Sequence, residues 1–202
     1  MARYKESVCK QCRRAGTSLC GSPKCAYVKR QSSPGQHGAA RKKLSEYAIQ
    51  LAEKQKVRNT YGLLEKQFRR TYDKAVKNKG VTGTVLLQLL ESRLDNILFR
   101  SGLVATRSQG RQMINHGHVQ INGQKVDVAS YQMKPGQLLS IREKSKAIFK
   151  KLRELSPNQP PVAPHWLTVD EDNMVIKFAM IPSREDLDMT INEALVIEYY
   201  SR

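Results

Sequence analysis

The sequence predicts an α+β protein: an N-terminal cysteine knuckle and helical domain, then a second mixed domain of two short helices and antiparallel strands. Three observations carry this reading. All four cysteines fall within the first 25 residues. Apolar residues then recur at helical spacing between Leu44 and Leu90. Beyond His118 the pattern alternates and is broken by Asn122-Gly123, the strongest short hairpin signal. The divisions follow: 1–43 for the knuckle and a basic extended segment, 44–90 for the helical domain, and 91–189 for the mixed domain. Residues 190–202 are candidates to complete the helical domain.

Cys9, Cys12, Cys20 and Cys25 form C-x2-C and C-x4-C pairs separated by seven residues. Two close pairs flanking a short loop can converge on one tetrahedral ion, and Gly16, Gly21 and Pro23 supply the turns. Zinc is the first choice. An iron–sulfur cluster meets the same ligand count, and a metal-free knuckle is the third reading. Four thiolates leave no open position, so the metal is structural. Arg13, Arg14, Lys24, Lys29 and Arg30 surround the pairs, which makes the knuckle a clip that stiffens a basic loop. Ser33 to Gly38 reads as a turn-rich connector, followed by the phosphate-directed run Arg41-Lys42-Lys43.

In the helical stretch, Leu44, Ala48, Leu51 and Ala52 share one face. Leu64, Phe68, Tyr72, Ala75 and Val76 share another, with Gly80 as the stop and Lys66, Arg69, Arg70, Lys74 and Lys77 opposite. A third helix starts near Thr82. A short helix follows over Ser92–Arg100, stopped by Gly102. Thr106 and Gln109 then form a capping box for a helix that Gly117 ends. Arg107 and Arg111 are four apart near the start of that helix, where the helix dipole favours a phosphate. Gln112, Asn115 and His116 can add hydrogen bonds to sugars or bases. His118–Ile121 and Lys125–Asp127 form the hairpin, and Leu138–Arg142 is a later strand. Residues 157–164 are Pro-rich and extended. His165–Val169 and Met174–Met180 read as strands joined by an acidic turn, with Trp166 a core anchor. The final Tyr199 to Arg202 can pack back on the helical domain.

Charge narrows the function. The 202 residues carry a net +17, divided as +15 over 1–80, +7 over 81–155 and −5 over 156–202. So strong an excess repels itself unless a polyanion absorbs it. No stretch has the length of a membrane span, and the charged N-terminus lacks a secretory core, so a cytoplasmic protein is expected. The four histidines form no metalloprotease helix motif, no phosphate-cradling Gly-Lys loop is present, and no small-molecule substrate is implied.

At this point the residues become recognisable. The run Arg93-Leu94-Asp95, Gly102, Thr106-Arg107-Ser108, Arg111 to Ile114, Gly117-His118-Val119, Ile121-Asn122-Gly123 and Val126 closely resembles the S-four RNA-binding module. That module occurs in several otherwise unrelated RNA proteins. The cysteine knuckle, Pro34 to Gly38, Lys54 to Arg58 with Tyr61-Gly62, Glu65 with Gln67 to Arg70, and Ile191 to Arg202 narrow the match. Together they resemble the bacterial-type small-subunit ribosomal protein S-four family, in its zinc-bearing form, over nearly the whole chain.

The resemblance implies a structural constituent of the small ribosomal subunit. Such a protein is a primary binder of 16S rRNA at a multi-helix junction of the 5′ domain, nucleates 30S assembly and contributes to translational accuracy. Implied neighbours are ribosomal protein S-five, other small-subunit proteins, and messenger RNA where it enters the subunit. By motif match Arg93, Arg107, Arg111, Gln112, Asn115, His116, His118 and Lys125 face RNA, and Arg13, Arg14, Lys29, Arg30, Gln36, His37, Arg41, Lys42, Lys43, Lys56, Arg58, Tyr61, Arg69 and Arg70 are expected to contact it as well. The cysteines hold zinc.

Other functions fit less well. Arg93-Leu94-Asp95 also resembles the catalytic aspartate motif of pseudouridine synthases, but no chain remains for their separate catalytic domain, so no enzyme is expected. Free-standing RNA chaperones and rescue factors with the same module look shorter and need no knuckle. A DNA-reading helix-turn-helix would need base-directed side chains over several turns, and Thr106–His116 is short and phosphate-directed.

Overall fold

The protein was analysed as a computed structural model, which describes residues 7–22, 24–40, 43–154, 163–187 and 190–201. Two compact units form: Met1–Leu86 with Asp188–Arg202, and Leu87–Leu187.

The first unit begins with α1 (Val8–Ala15) and the single turn α2 (Ala26–Lys29). Gly16 ends α1 at φ 67°, and the Thr17 N–H returns to the Cys12 carbonyl. Next come α3 (Glu46–Thr60), α4 (Glu65–Lys77) and α5 (Thr82–Glu91), the boundary between units falling inside α5. Ser45 caps α3 by accepting from the Ala48 N–H at 3.3 Å. The last element, α9 (Glu193–Ser201), packs on α3. Val57, Tyr61, Leu63, Phe68, Ala75, Ile191 and Val196 are buried here. Tyr200 stacks on Tyr72 at 4.6 Å, and its hydroxyl donates to Glu65 Oε1 at 2.7 Å. Gln50 Nε2 donates to Glu198 Oε2 at 3.0 Å, so both ends of α9 are tied, the other by the Asn192 N–H on Glu53. The unit is therefore discontinuous, closed by a helix far away in sequence.

The second unit holds α6 (Leu94–Arg100), α7 (Arg107–Asn115) and a five-stranded antiparallel sheet in the order β2-β1-β3-β5-β4. The strands are β1 (Val119–Ile121), β2 (Gln124–Lys125), β3 (Leu138–Ile141), β4 (Leu167–Asp170) and β5 (Val175–Phe178). Between β3 and β4 runs α8 (Glu143–Glu154). Alternation sends Val119, Ile121, Leu139, Ile141, Ile176 and Phe178 into one core with Leu94, Ile97, Leu98 and Ile114. Trp166 sits in that core, edge-on to Phe178 at 5.7 Å. Asn122 and Gly123 both take positive φ, as a tight two-residue hairpin requires. The Asn122 side chain also accepts from the Leu138 N–H at 2.9 Å, which joins the turn to β3.

The elements differ from the sequence pattern chiefly in number and extent. Helices α1, α2, α8 and α9 were not read from the sequence as helices. Helix α3 runs eight residues beyond Ala52, to Thr60. The strands are shorter than the alternating runs that announced them. The Pro-rich stretch lies outside the described residues over 155–162, as do Pro23, Arg41, Lys42 and Arg202.

Candidate nucleic-acid interface and cysteine cluster

The sulfurs of Cys12, Cys20 and Cys25 lie within 4.8 Å of one another. Tetrahedral ligation with sulfur about 2.3 Å from the ion separates sulfurs by about 3.8 Å. The three thus fit one metal with small adjustment. Burial pushes the Cys12 thiol up to about 12. Burial also opposes ionisation of Cys25, but bonds from Ser18, the Tyr27 N–H, Cys20 and Cys12 outweigh it and lower that thiol to about 7. A bound cation would favour the thiolate form of a cysteine ligand. Cys9, the fourth expected ligand, is partly exposed on the first turn of α1 and lies outside this group of three.

Arg13 faces the connector. Its Nε donates to the Ser32 carbonyl at 2.9 Å and its Nη2 to the Ser33 carbonyl at 3.2 Å. Gly38 packs on that same Ser33 carbonyl so closely that a Cβ would overlap it. The connector is therefore a folded loop that presents Gln36 and His37 to solvent. Arg14, Lys29, Arg30 and Lys43 are exposed around it. On α4, Arg69 and Arg70 are exposed with Lys66, Lys74 and Lys77; Arg69 also lies over the Tyr200 ring at 5.3 Å.

Three expected contacts of this unit turn inward instead. Tyr61 is 2% exposed and fills the helical core. Lys56 bonds to Glu53 and to the Thr190 carbonyl. Arg58 pairs with Glu65 at 3.3 Å, beside Lys54 at 2.9 Å. Their chemistry is spent holding α3, α4 and the approach to α9 together. Burial resists ionisation of Glu65, but Lys54, Tyr200 and Arg58 outweigh it and hold the carboxyl below its usual 4.5.

In the second unit α7 is set up from both ends. The Thr106 hydroxyl accepts from the Gln109 N–H at 3.1 Å, while Gln109 Oε1 accepts from the Ala105 N–H at 2.9 Å, one residue outside the expected box. At the far end the Gly117 N–H returns to the Ile114 carbonyl and the His118 N–H to the Met113 carbonyl. A Cβ on Gly117 would strike Lys125, so this glycine also admits the hairpin lysine beside the helix end. Arg107 donates to Asn96 Oδ1 at 2.7 Å and stacks 4.3 Å from the Phe99 centroid. Arg111 donates to Asp95 Oδ2 at 2.7 and 3.0 Å. Gln112, His116 and Lys125 are exposed, and Asn115 is half-buried.

Arg93 does not face outward as expected. It is 7% exposed and forks onto Asp95 at 3.0 and 3.1 Å. It serves as a strut that neutralises a buried carboxylate. His118 Nδ1 lies 2.9 Å from Ser145 Oγ. Burial, then His116 and Arg142, lowers its pKa below 6.5. The sequence reading missed Arg142, which reaches the Gly117 carbonyl at 3.2 Å, and the exposed Lys144, Lys150 and Lys151 of α8. Phe149 and Leu152, three apart on one side of α8, were the available signal.

A helix with two arginines held at its first turns, beside a hairpin lysine, on a small antiparallel sheet, defines an RNA-binding α+β module. Family profiles agree: residues 92–139 match the S4 domain, and residues 3–91 match the ribosomal protein S4/S9 N-terminal domain. The chain is 48% identical over 208 residues to the small ribosomal subunit protein uS4A of Alkaliphilus metalliredigens, covering all of both chains. It is 47% identical over 210 residues to uS4 of Acetivibrio thermocellus, again with full coverage. The chain belongs to the uS4 family, whose members are structural proteins rather than enzymes. Among the described residues no helix is long and apolar enough to cross a membrane.

Proposed function

We propose that this protein is a cytoplasmic constituent of the small ribosomal subunit that binds 16S rRNA at a multi-helix junction of the 5′ domain. There it nucleates 30S assembly and supports translational accuracy. The observation that supports this best is the basic α7 face, whose two arginines are already held in place by α6 before any RNA arrives. The first unit adds Arg14, Lys29, Arg30, Lys43, Arg69, Arg70 and the Gln36-His37 loop; Arg41 and Lys42 extend that run in sequence. Ribosomal protein S-five, other subunit proteins and messenger RNA are its proposed neighbours. The mechanism is neutralisation of crowded phosphates by cations on two folded scaffolds.

The deciding experiment compares affinity for the 5′-domain junction with affinity for a duplex RNA of equal charge at fixed moderate salt. A preference of about tenfold or more, about 1.4 kcal/mol, supports shape recognition. Equal affinity would leave nonspecific charge attraction and reject the junction assignment. With about 6–10 phosphates contacted, affinity should fall about 10³–10⁵-fold from 50 to 200 mM salt.

For the cysteines the proposal is one structural zinc on Cys12, Cys20 and Cys25, with Cys9 as the fourth ligand. Bound zinc would supply a fixed crosslink between α1 and the turn before α2. Elemental analysis of the purified protein should find about one zinc per chain, lost in Cys12→Ser. A metal-free protein with an intact fold refutes the site.

A further inference from the structure

The orientation of Arg107 is set by a relay that starts two helices away, at Glu91 of α5. Glu91 is 1% exposed, and its carboxylate takes Arg100 at 2.7 and 3.1 Å. Asn96, also 1% exposed, donates its amide nitrogen to the Glu91 carbonyl at 3.1 Å and to Glu91 Oε2 at 2.6 Å. Both partners are acceptors, so the Asn96 amide cannot turn over. Its oxygen is thereby aimed at Arg107 Nε, 2.7 Å away.

A guanidinium is a planar fork and grips phosphate bidentately only when its plane is correct. The Nε–H bond to Asn96 fixes rotation within that plane, and the Phe99 ring fixes the tilt. Asn96 also orients its arginine without adding negative charge, whereas Asp95 orients Arg111 with a carboxylate. We propose that Glu91 and Asn96 are positioning residues for phosphate binding by Arg107. Ordering the fork before RNA arrives removes an ordering cost from binding. The inference rests on the RNA-binding reading of α7.

The test uses the full chain and the 16S junction RNA, with Asn96→Asp, Glu91→Gln and the double variant. Asn96→Asp sets two carboxylates against each other. The double variant restores the side-chain bond with donor and acceptor exchanged, the amide at 91 donating and the carboxylate at 96 accepting, while the bond to the Glu91 carbonyl stays lost. Asn96→Asp should weaken junction binding about fivefold or more and remove the protected Arg107 Nε–H resonance from the ¹H–¹⁵N spectrum. The double variant should regain part of the affinity and the resonance. Recovery of thermal stability without recovery of affinity or resonance would make the relay purely structural and overturn the proposal. Arg107→Lys guards against a single variant that fails to fold, because the side chain is partly exposed and its charge is kept. It should bind more weakly than the parent though better than Arg107→Ala, because charge is kept and the fork is lost; binding like the parent overturns the proposal. If Arg107→Ala itself binds like the parent, the RNA reading of α7 fails instead.

Discussion

At the residue scale, two buried or half-buried groups and one glycine decide how the proposed interface behaves. Asp95 is 1% exposed and accepts from Arg93 and Arg111 together. Removing it as Asp95→Ala leaves two guanidinium groups in a largely dry site, and should cost about 3–5 kcal/mol in denaturant melts. His118 works in the opposite sense. Its folded pKa is depressed, so the unfolded chain takes up the proton first as pH falls. The stability from keeping it neutral is complete above 6.5 and declines as pH drops through that value toward the lower folded one. His118→Gln should therefore flatten the fall in Tm between about pH 7 and 5. Gly38 is the third case. Gly38→Ala should open the Ser33–Ala40 loop, seen as faster proteolysis there with the second unit unchanged.

At the element scale, α9 shows how a helix with little polarity of its own is held by particular partners. Tyr200→Phe deletes the bond to Glu65 but keeps the ring on Tyr72 and Phe68. The expected loss is about 1–2 kcal/mol by chemical denaturation. The Glu65 contribution has the usual carboxylate sign: it is present above 4.5 and lost as pH falls through the lowered folded value. The helix also explains what was legible in the sequence and what was not. Signals confined to a few neighbours read well: the Thr106–Gln109 cap, the Gly117 stop, the Asn122-Gly123 hairpin and the Trp166 anchor each obey local rules. Long-range pairing did not. Arg93 and Arg58 look like any exposed arginine until Asp95 and Glu65 are seen beside them, and Tyr61 looks like a stacking residue until the core closes over it. Helix α1 was hidden because its cysteines drew the reading toward turns. In α8 a buried serine, Ser145, interrupts the apolar stripe.

At the scale of the whole molecule, the net +17 governs stability as much as binding. A polyanion that binds only the folded chain should stabilise it with the logarithm of its concentration over Kd, by about 2.7 kcal/mol at a hundred times Kd, and so raise Tm. Junction RNA should do this more strongly than heparin of matched charge, measured by calorimetry at fixed salt. Extracting the proposed zinc with a chelator should loosen residues 8–40, detected by limited proteolysis, while leaving the Trp166 fluorescence of the second unit in place.

The closure of the first unit by α9 has a consequence for how the chain is made. Residues leave the translating ribosome in order, so all of Leu87–Leu187 emerges before Glu193–Ser201. The second unit can complete its sheet while α3 and α4 still wait for their last partner. Chains truncated after Leu187 and released should show a protected second unit and a protease-sensitive first one. Completion of the early-born half thus reports that synthesis has passed through the late one, so a prematurely released chain would lack half of its grip on RNA.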